Sequence, residues 1–302
     1  MNDIAMAHAV QEKCKSKFRG RDNLASKVVP NHPDNITREY IRITNTYMTQ
    51  LNKAMAEHMP TIREAINAER ENMRMDSDGT ISAIISSVFE SIKTDFNNRA
   101  TAFRLENKIR NLGNQTRRYS INQWKNIVRS TLGINILEDY YMGEFFKSSL
   151  QNWTKNNVQL IKSIPEQTLS KVQTAVREGY LAGKSNTAIG EEIRKIYSMD
   201  RKHAQFIARD QTSKLSADIT QAQQTDAGVD EYIWRTMKDS RVRCRHKELE
   251  GTRQKWSSPP IVDKRTGRKG HPKQDYQCRC VALPIFNLPG LSLPWDKSED
   301  AA

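Results

Sequence analysis

"DAGVDEYIWRT" occupies residues 226–236, and the patterning of the chain changes there. Upstream, apolar residues recur at three- and four-residue steps. From Tyr232 the run "YIWRT" alternates and is rich in β-forming residues. Steps of three and four place side chains on one face of a helix, whereas alternation places them on one face of a strand. Gly228 supplies a stop for the helix before it. The stretch divides a mostly α-helical N-terminal body, read as elongated, from a small C-terminal α+β module of short strands and loops. The fold class is α+β.

Working back from Gly228, Ala204, Ile207, Ala208, Leu215, Ile219 and Ala222 share one side of a helix that Asp200 is placed to cap. Ser163 and Glu166 have capping-box spacing with Pro165 in the first turn, and Gly179 and Gly183 mark the end of that helix. "INQWKNIVRSTL" (121–132) and "LEDYYMGEFFKSSLQNW" (137–153) predict two more helices. A stripe from Ile81 through Ile84, Ile85, Val88, Phe89, Ile92 and Phe96 to Phe103 predicts a long helix, preceded by a turn at "DSDGT" (76–80) and closed by Gly113. Ile36, Tyr40, Ile43, Tyr47, Leu51 and Met55 form the first stripe, which Pro60 breaks or kinks before Ile62 and Ile66 continue it. Such stripes serve core packing first and partner faces second. Residues 1–33 are polar and basic and run into "VVPNHPDN", which predicts a flexible basic arm. The divisions are therefore the arm at 1–33, the helical body at 34–203, the module at 204–286 and an extended tail at 287–302. Leu288, Leu291, Leu293 and Trp295 of the tail are expected to dock on a partner or on the chain's own helices.

The 302 residues carry a formal net charge of +13. Such a surplus calls for a polyanionic neighbour: nucleic acid, an acidic protein surface or an anionic membrane. Residues 99–129 hold eight Lys/Arg against Glu106 alone, and residues 241–273 hold eleven against three acidic groups. Arg117, Arg118, Arg243, Arg245, Lys247, Arg265, Arg268 and Lys269 are the candidate phosphate contacts. No run of eighteen apolar residues is present, which predicts no membrane span. The N-terminus has no apolar signal core, so the chain is expected to remain in the cytoplasm where it is made, with its thiols reduced. No glycine-rich phosphate loop is present, and no nucleotide cofactor is expected.

Three of the four cysteines and two of the six histidines fall within "RVRCRHKELEG" (241–251) and "HPKQDYQCRC" (271–280). Thiolate and imidazole suit zinc, and Cys244, His246, His271, Cys278 and Cys280 are the candidate ligands. The single-residue spacers permit a site without diagnosing one. The competing reading is a set of small buried residues pinning a β-hairpin, with His271 and Pro272 setting a turn. A His-Asn-His type nuclease would also place a histidine near cysteines on a basic surface, but Arg245 and Lys247 flank His246, and Asp239 is seven residues away. A Cys244–His246 thiolate–imidazole pair lacks an orienting third group.

Together these residues resemble a known family. "IARDQTSKLSADITQAQQTDAGVDEYIWRTMKDSRVRCRHKELEGT" (207–252), then a proline-bearing loop and "HPKQDYQCRCVALPIF" (271–286), resemble the C-terminal signature of the phage Mu F-like minor head proteins, the head morphogenesis family. The matching positions are Arg209, Gly228, Trp234, Thr236, Asp239, Arg241, His246, Leu249, Gly251, His271, Pro272, Cys278, Arg279 and Cys280, over roughly 205–286. Members differ in using a Cys pair or a His in the first half-site. This chain carries both Cys244 and His246, so the ligand set stays open. The resemblance implies a non-enzymatic, low-copy virion protein in the head interior near the portal vertex. Its implied partners are the portal protein, the major capsid or scaffold protein, and double-stranded DNA held non-specifically. Its implied roles are head assembly and genome delivery. Some relatives carry a toxin or enzyme domain after this module, and none is expected in the 22 residues beyond Cys280. A metal-dependent nuclease and a zinc-containing DNA-binding regulator are the alternatives.

Overall fold

The structure is a computed structural model that describes residues 3–71, 77–143 and 147–296. The helices are α1 (Asp3–Phe18), α2 (Asp34–Glu71), α3 (Ser77–Phe103), α4 (Leu105–Leu132), α5 (Glu138–Met142), α6 (Lys147–Leu181), α7 (Asn186–Asp226) and α8 (Cys244–Leu249). The strands are β1 (Asn23–Ala25), β2 (Glu231–Arg235), β3 (Arg253–Lys255), β4 (Ile261–Asp263), β5 (Arg268–Lys269) and β6 (Val281–Asn287). A mostly helical N-terminal region thus precedes short antiparallel strands, an α+β fold. No helix among the described residues is long and apolar enough to cross a membrane.

The chain forms two compact units. One comprises Arg38–Leu112 and Thr154–Ala208, and the other Met1–Thr37, Gly113–Trp153 and Arg209–Ala302. The first unit is helical. Its apolar stripes are buried as their spacing predicts: Ile43, Tyr47, Leu51, Ile62 and Ile66 on α2, and Ile85, Phe89, Ile92 and Phe96 on α3. Tyr47 packs edge-on against Phe96, with ring centroids 5.6 Å apart. The buried Tyr40 hydroxyl donates to Asn157 Oδ1 at 2.7 Å.

Several boundaries differ from those predicted. Pro60 and Pro165 both lie inside continuous helices, because the turns on either side keep their buried apolar contacts (Met55 and Ile62 on α2, Ile161 and Val172 on α6) and outweigh the missing N–H. The Ser163 hydroxyl therefore caps nothing and donates to the Leu160 carbonyl. Asp200 also lies mid-helix, in α7. Its buried carboxylate accepts from Thr168 Oγ1 at 2.7 Å and Lys171 Nζ at 2.8 Å. Of the predicted turn at 76–80, residues 77–80 form the start of α3, and Asp76 lies outside the described residues. Gly113 lies within α4, where the side chains of Leu150 and Trp153 take the space of a Cβ. The α3–α4 junction is instead at Arg104, with φ 53°.

In the second unit the four-stranded sheet has the order β1-β6-β2-β3, all antiparallel. Trp234 lies opposite Ala282 and Tyr232 opposite Pro284. One core cluster joins α1, α4 and the chain end through Val10, Phe18, Trp124, Val128, Phe286 and Leu291. This corrects the flexible arm. Val10, Cys14 and Phe18 follow a four-residue step and are fully buried, while Asn23–Ala25 pairs with β6. The lysines between them masked that narrow stripe. The tail docks on the same core. Leu291 and Leu293 are buried in it, Leu288 and Trp295 pack against it, and the Ser292 N–H donates to the Ala227 carbonyl at 3.2 Å. A second cluster, containing Tyr232, Trp234, Leu249, Trp256, Val262, Cys278, Cys280 and Ala282, carries the candidate site.

Candidate metal centre

Cys244 and His246 lie on the short helix α8 rather than on a strand, since Arg243 and the Lys247 N–H begin a helical turn there. Residues i and i+2 of a helix point to different sides. His246 accordingly turns inward, 2 % exposed, and Cys244 turns to solvent. From the other half-site, Cys278 and Cys280 precede β6 and are both buried. His246 Nδ1 is 3.6 Å from Cys278 Sγ and 3.6 Å from Cys280 Sγ. The three ligand atoms all lie within 4.8 Å of one another.

These residues fit a metal ion. With zinc bonds of about 2.0 Å to nitrogen and about 2.3 Å to sulfur, a tetrahedral N···S edge is about 3.5 Å, close to the two separations found. The other face of the histidine is also prepared. Nε2 is buried, lies 3.2 Å from Asp275 Oδ2, and makes no hydrogen bond in its present orientation. A carboxylate behind a ligating imidazole fixes the tautomer and ring orientation. Asp275 is itself held by Arg268 Nη2 at 2.5 Å, Arg243 Nη1 at 3.2 Å and the Tyr276 N–H at 2.9 Å. The Trp234 ring packs edge-on against His246 at 5.5 Å. Hydrogen bonds from Cys280, and then from His246, hold the Cys278 thiol well below its ordinary range against the opposing effect of burial. The hydrogen bond with Cys278, together with burial, pushes the Cys280 thiol up. The pair is therefore poised to give one thiolate readily and the second when a metal displaces its proton.

Two of the five predicted ligands lie elsewhere. Cys244 is exposed on α8. His271 shares a hydrogen bond between Nδ1 and the Tyr232 hydroxyl at 2.8 Å and packs on Trp256, ring centroids 4.7 Å apart, where burial pushes its pKa down. The turn reading of His271 and Pro272 fits this packed position. The family-motif residues serve the frame. Asp239 accepts from Arg279 Nη2 at 2.7 Å and from the Arg241 N–H at 3.1 Å, and the Arg279 bond holds its carboxyl below the usual range. Gly251, at φ +74°, donates to the Trp234 carbonyl.

Half of the candidate phosphate contacts are committed inside the protein. Arg243 and Arg268 bind Asp275, Arg245 binds Glu248 and the Ile261 carbonyl, and Arg117 donates to Asn114. Arg118, Lys247, Arg265 and Lys269 are exposed. Sequence reasoning missed Asp275, although a carboxylate three residues before Cys278 was the available signal. It also missed Lys273, which is buried with Nζ 3.3 Å from Ser216 Oγ and pushed down to about 8 by desolvation. A third unread group is His32, whose Nδ1 lies 2.9 Å from Asp34 and Nε2 2.9 Å from Ser213 Oγ. Ser213 is buried in α7 (3 % exposed), so this chain of bonds fastens the 31–34 segment and does not present a nucleophile.

Residues 170–283 match the family model described as Phage Mu protein F like protein. A Haemophilus influenzae protein, described as uncharacterized, is 40% identical over 134 residues, covering 44% of this chain and 29% of that relative. The chain thus spans less than a third of the length of the curated relative it matches. No solved structure matches it. The family match begins well upstream of the strands and takes in the end of α6, all of α7 and the His246, Cys278 and Cys280 group, so this part of the chain is similar to Phage Mu protein F-like proteins.

Proposed function

We propose that this protein is a minor head morphogenesis protein of a tailed bacteriophage. It lies inside the head near the portal vertex, contacts the portal and the capsid or scaffold protein, and touches packaged double-stranded DNA without reading its sequence. The observation that carries this reading is the Mu F-like domain over residues 170–283. An ion held by its three buried ligands would tie α8 to the residues just before β6. All three ligands are at most 3 % exposed. Three ligands leave the fourth position of a tetrahedral zinc to water, but a nuclease would also need the DNA phosphate at the ion, and the burial of all three ligands opposes its entry. On this reading the group cuts no DNA.

Quantitative mass spectrometry of purified particles tests the reading. Peptides of this chain are expected at a few copies per particle, far below the major capsid protein. Absence from proheads and virions alike, or metal-dependent cutting of plasmid DNA by the purified chain, would overturn it.

The DNA contact rests on exposed cations of the module. Each phosphate neutralised contributes about 0.9 to the slope of log affinity against log salt. Neutralising Lys247, Arg265 and Lys269 together to Ala should lower that slope by about 2–3, equally for unrelated duplexes. Fluorescence anisotropy at graded salt measures it. An unchanged slope would remove this surface from the proposal.

A further inference from the structure

The helical unit carries a groove of about 760 Å³ between the 52–59 stretch of α2 and the 193–205 stretch of α7. Its floor is apolar and soft: Met55, Met59, Ile193 and Tyr197. Tyr197 is held in place by its hydroxyl, which donates to Met55 Sδ at 2.9 Å. The rim is cationic. Arg194, Arg201 and Lys202 line it, all three are exposed, and no carboxylate among the described residues lines the groove. None of these three cations forms an ion pair or hydrogen bond with a described residue. Some basic side chains of the same unit are paired, as Arg99 is with Asp95 and Glu57. An apolar trough edged by three cations would be completed by a ligand that brings both apolar surface and negative charge.

We infer that this groove docks an amphipathic helix of another protein, one with apolar residues at helical spacing and carboxylates along one edge. The inference deepens the head-protein reading and rests on it for the identity of the partner. Helix-in-groove recognition uses an apolar face at three- and four-residue steps, and thioether floors adapt to it. The α7 side of the groove spans thirteen residues, about 18 Å, which suits an occupant helix of about three turns. Arg194 and Arg201 stand seven residues apart, so carboxylates at i and i+7 of the occupant would meet both. Duplex DNA would satisfy the rim but leave the methionine and isoleucine floor unfilled. A second copy of a chain with net charge +13 would bring mainly like charge.

The test places a photo-crosslinker in the groove, Ser198→p-benzoylphenylalanine in the full chain, and irradiates cells producing the phage. The expected product joins position 198 to a segment of another polypeptide that has helical apolar spacing and two acidic residues seven apart. Arg194→Glu with Arg201→Glu should lower its yield at least tenfold while circular dichroism stays unchanged. No crosslink, or a crosslink to DNA, to a second copy or to a segment without acidic residues, overturns the inference, as does a yield indifferent to charge reversal. Because the product is read in whole cells, failure of the head-protein reading is separate. A crosslink of the expected kind in cells whose particles lack this chain would keep the groove and discard the virion assignment.

Discussion

Cys278→Ser is expected to abolish metal binding and unfold residues 227–286 while leaving the helices of the other unit in place. The reason lies in what would remain. His246 and Cys280 would face a hydroxyl in a site only 2 % exposed at position 278, and two ligands do not make a structural zinc site. Coupled metal binding contributes on the order of 10 kcal/mol in small zinc modules. That rivals the roughly 5–15 kcal/mol by which a whole domain is stable, so the variant should be unfolded locally rather than merely softened. Metal content by plasma mass spectrometry should fall from one equivalent to none. Hydrogen exchange should become rapid at the amides of Glu231–Arg235 and Val281–Asn287, which pair across the sheet next to the site, and remain slow in the buried stretches of α2 and α3. Cys244→Ser is the control and should change neither readout, because Cys244 is exposed and outside the group. A Cys278→Ser protein that keeps its metal, or whose strands stay protected, would sink the structural-zinc proposal.

Gly228→Ala should have the second largest effect, and it needs no metal. Gly228 ends α7 at φ +73°, and a Cβ added there would overlap the carbonyl oxygen of Gly290. The left-handed conformation alone costs about 1–2 kcal/mol for a residue with a side chain. The overlap adds about 1–3 kcal/mol, because the tail it strikes is fastened by Leu291 and Leu293 in the core and by the Ser292 N–H on the Ala227 carbonyl. A fall in melting temperature of roughly 5–15 °C is expected. Gly20→Ala makes the comparison, since Gly20 has φ +76° with open space where the Cβ would go. It should show the conformational cost alone. Equal shifts for the two variants would mean that the 228–290 contact contributes nothing.

The difference between these two glycines shows where reading by periodicity stops. Gly228 is legible as a helix stop because the spacing changes beside it. Its contact with Gly290 lies sixty-two residues away and leaves no local trace. The same limit governs α1. Val10, Cys14 and Phe18 are three apolar residues among charges, too few to outweigh the polar composition, and only the core surface of Trp124 and Phe286 gives them a place to be buried. Pro60, Pro165 and Asp200 mislead in the opposite direction. Each is a genuine local signal for a helix boundary, and each is overridden by packing or a buried hydrogen bond across the unit.

What the sequence determined by itself was the class and the order: long amphipathic helices, a change to alternating residues at Tyr232, and a family signature carried by residue types at set positions. These are local or compositional properties, written in neighbours a few residues apart. The tertiary structure decided which of five candidate ligands converge. Cys244 and His246 are two residues apart, yet the helical turn sends one to solvent and the other to the thiols, while Cys278 and Cys280 arrive from more than thirty residues away. It also decided which cations are free, because Arg243 and Arg268 are spent on Asp275 and Lys247, Arg265 and Lys269 are exposed. Both outcomes depend on distances between atoms far apart in the chain, and a one-dimensional pattern does not contain those distances.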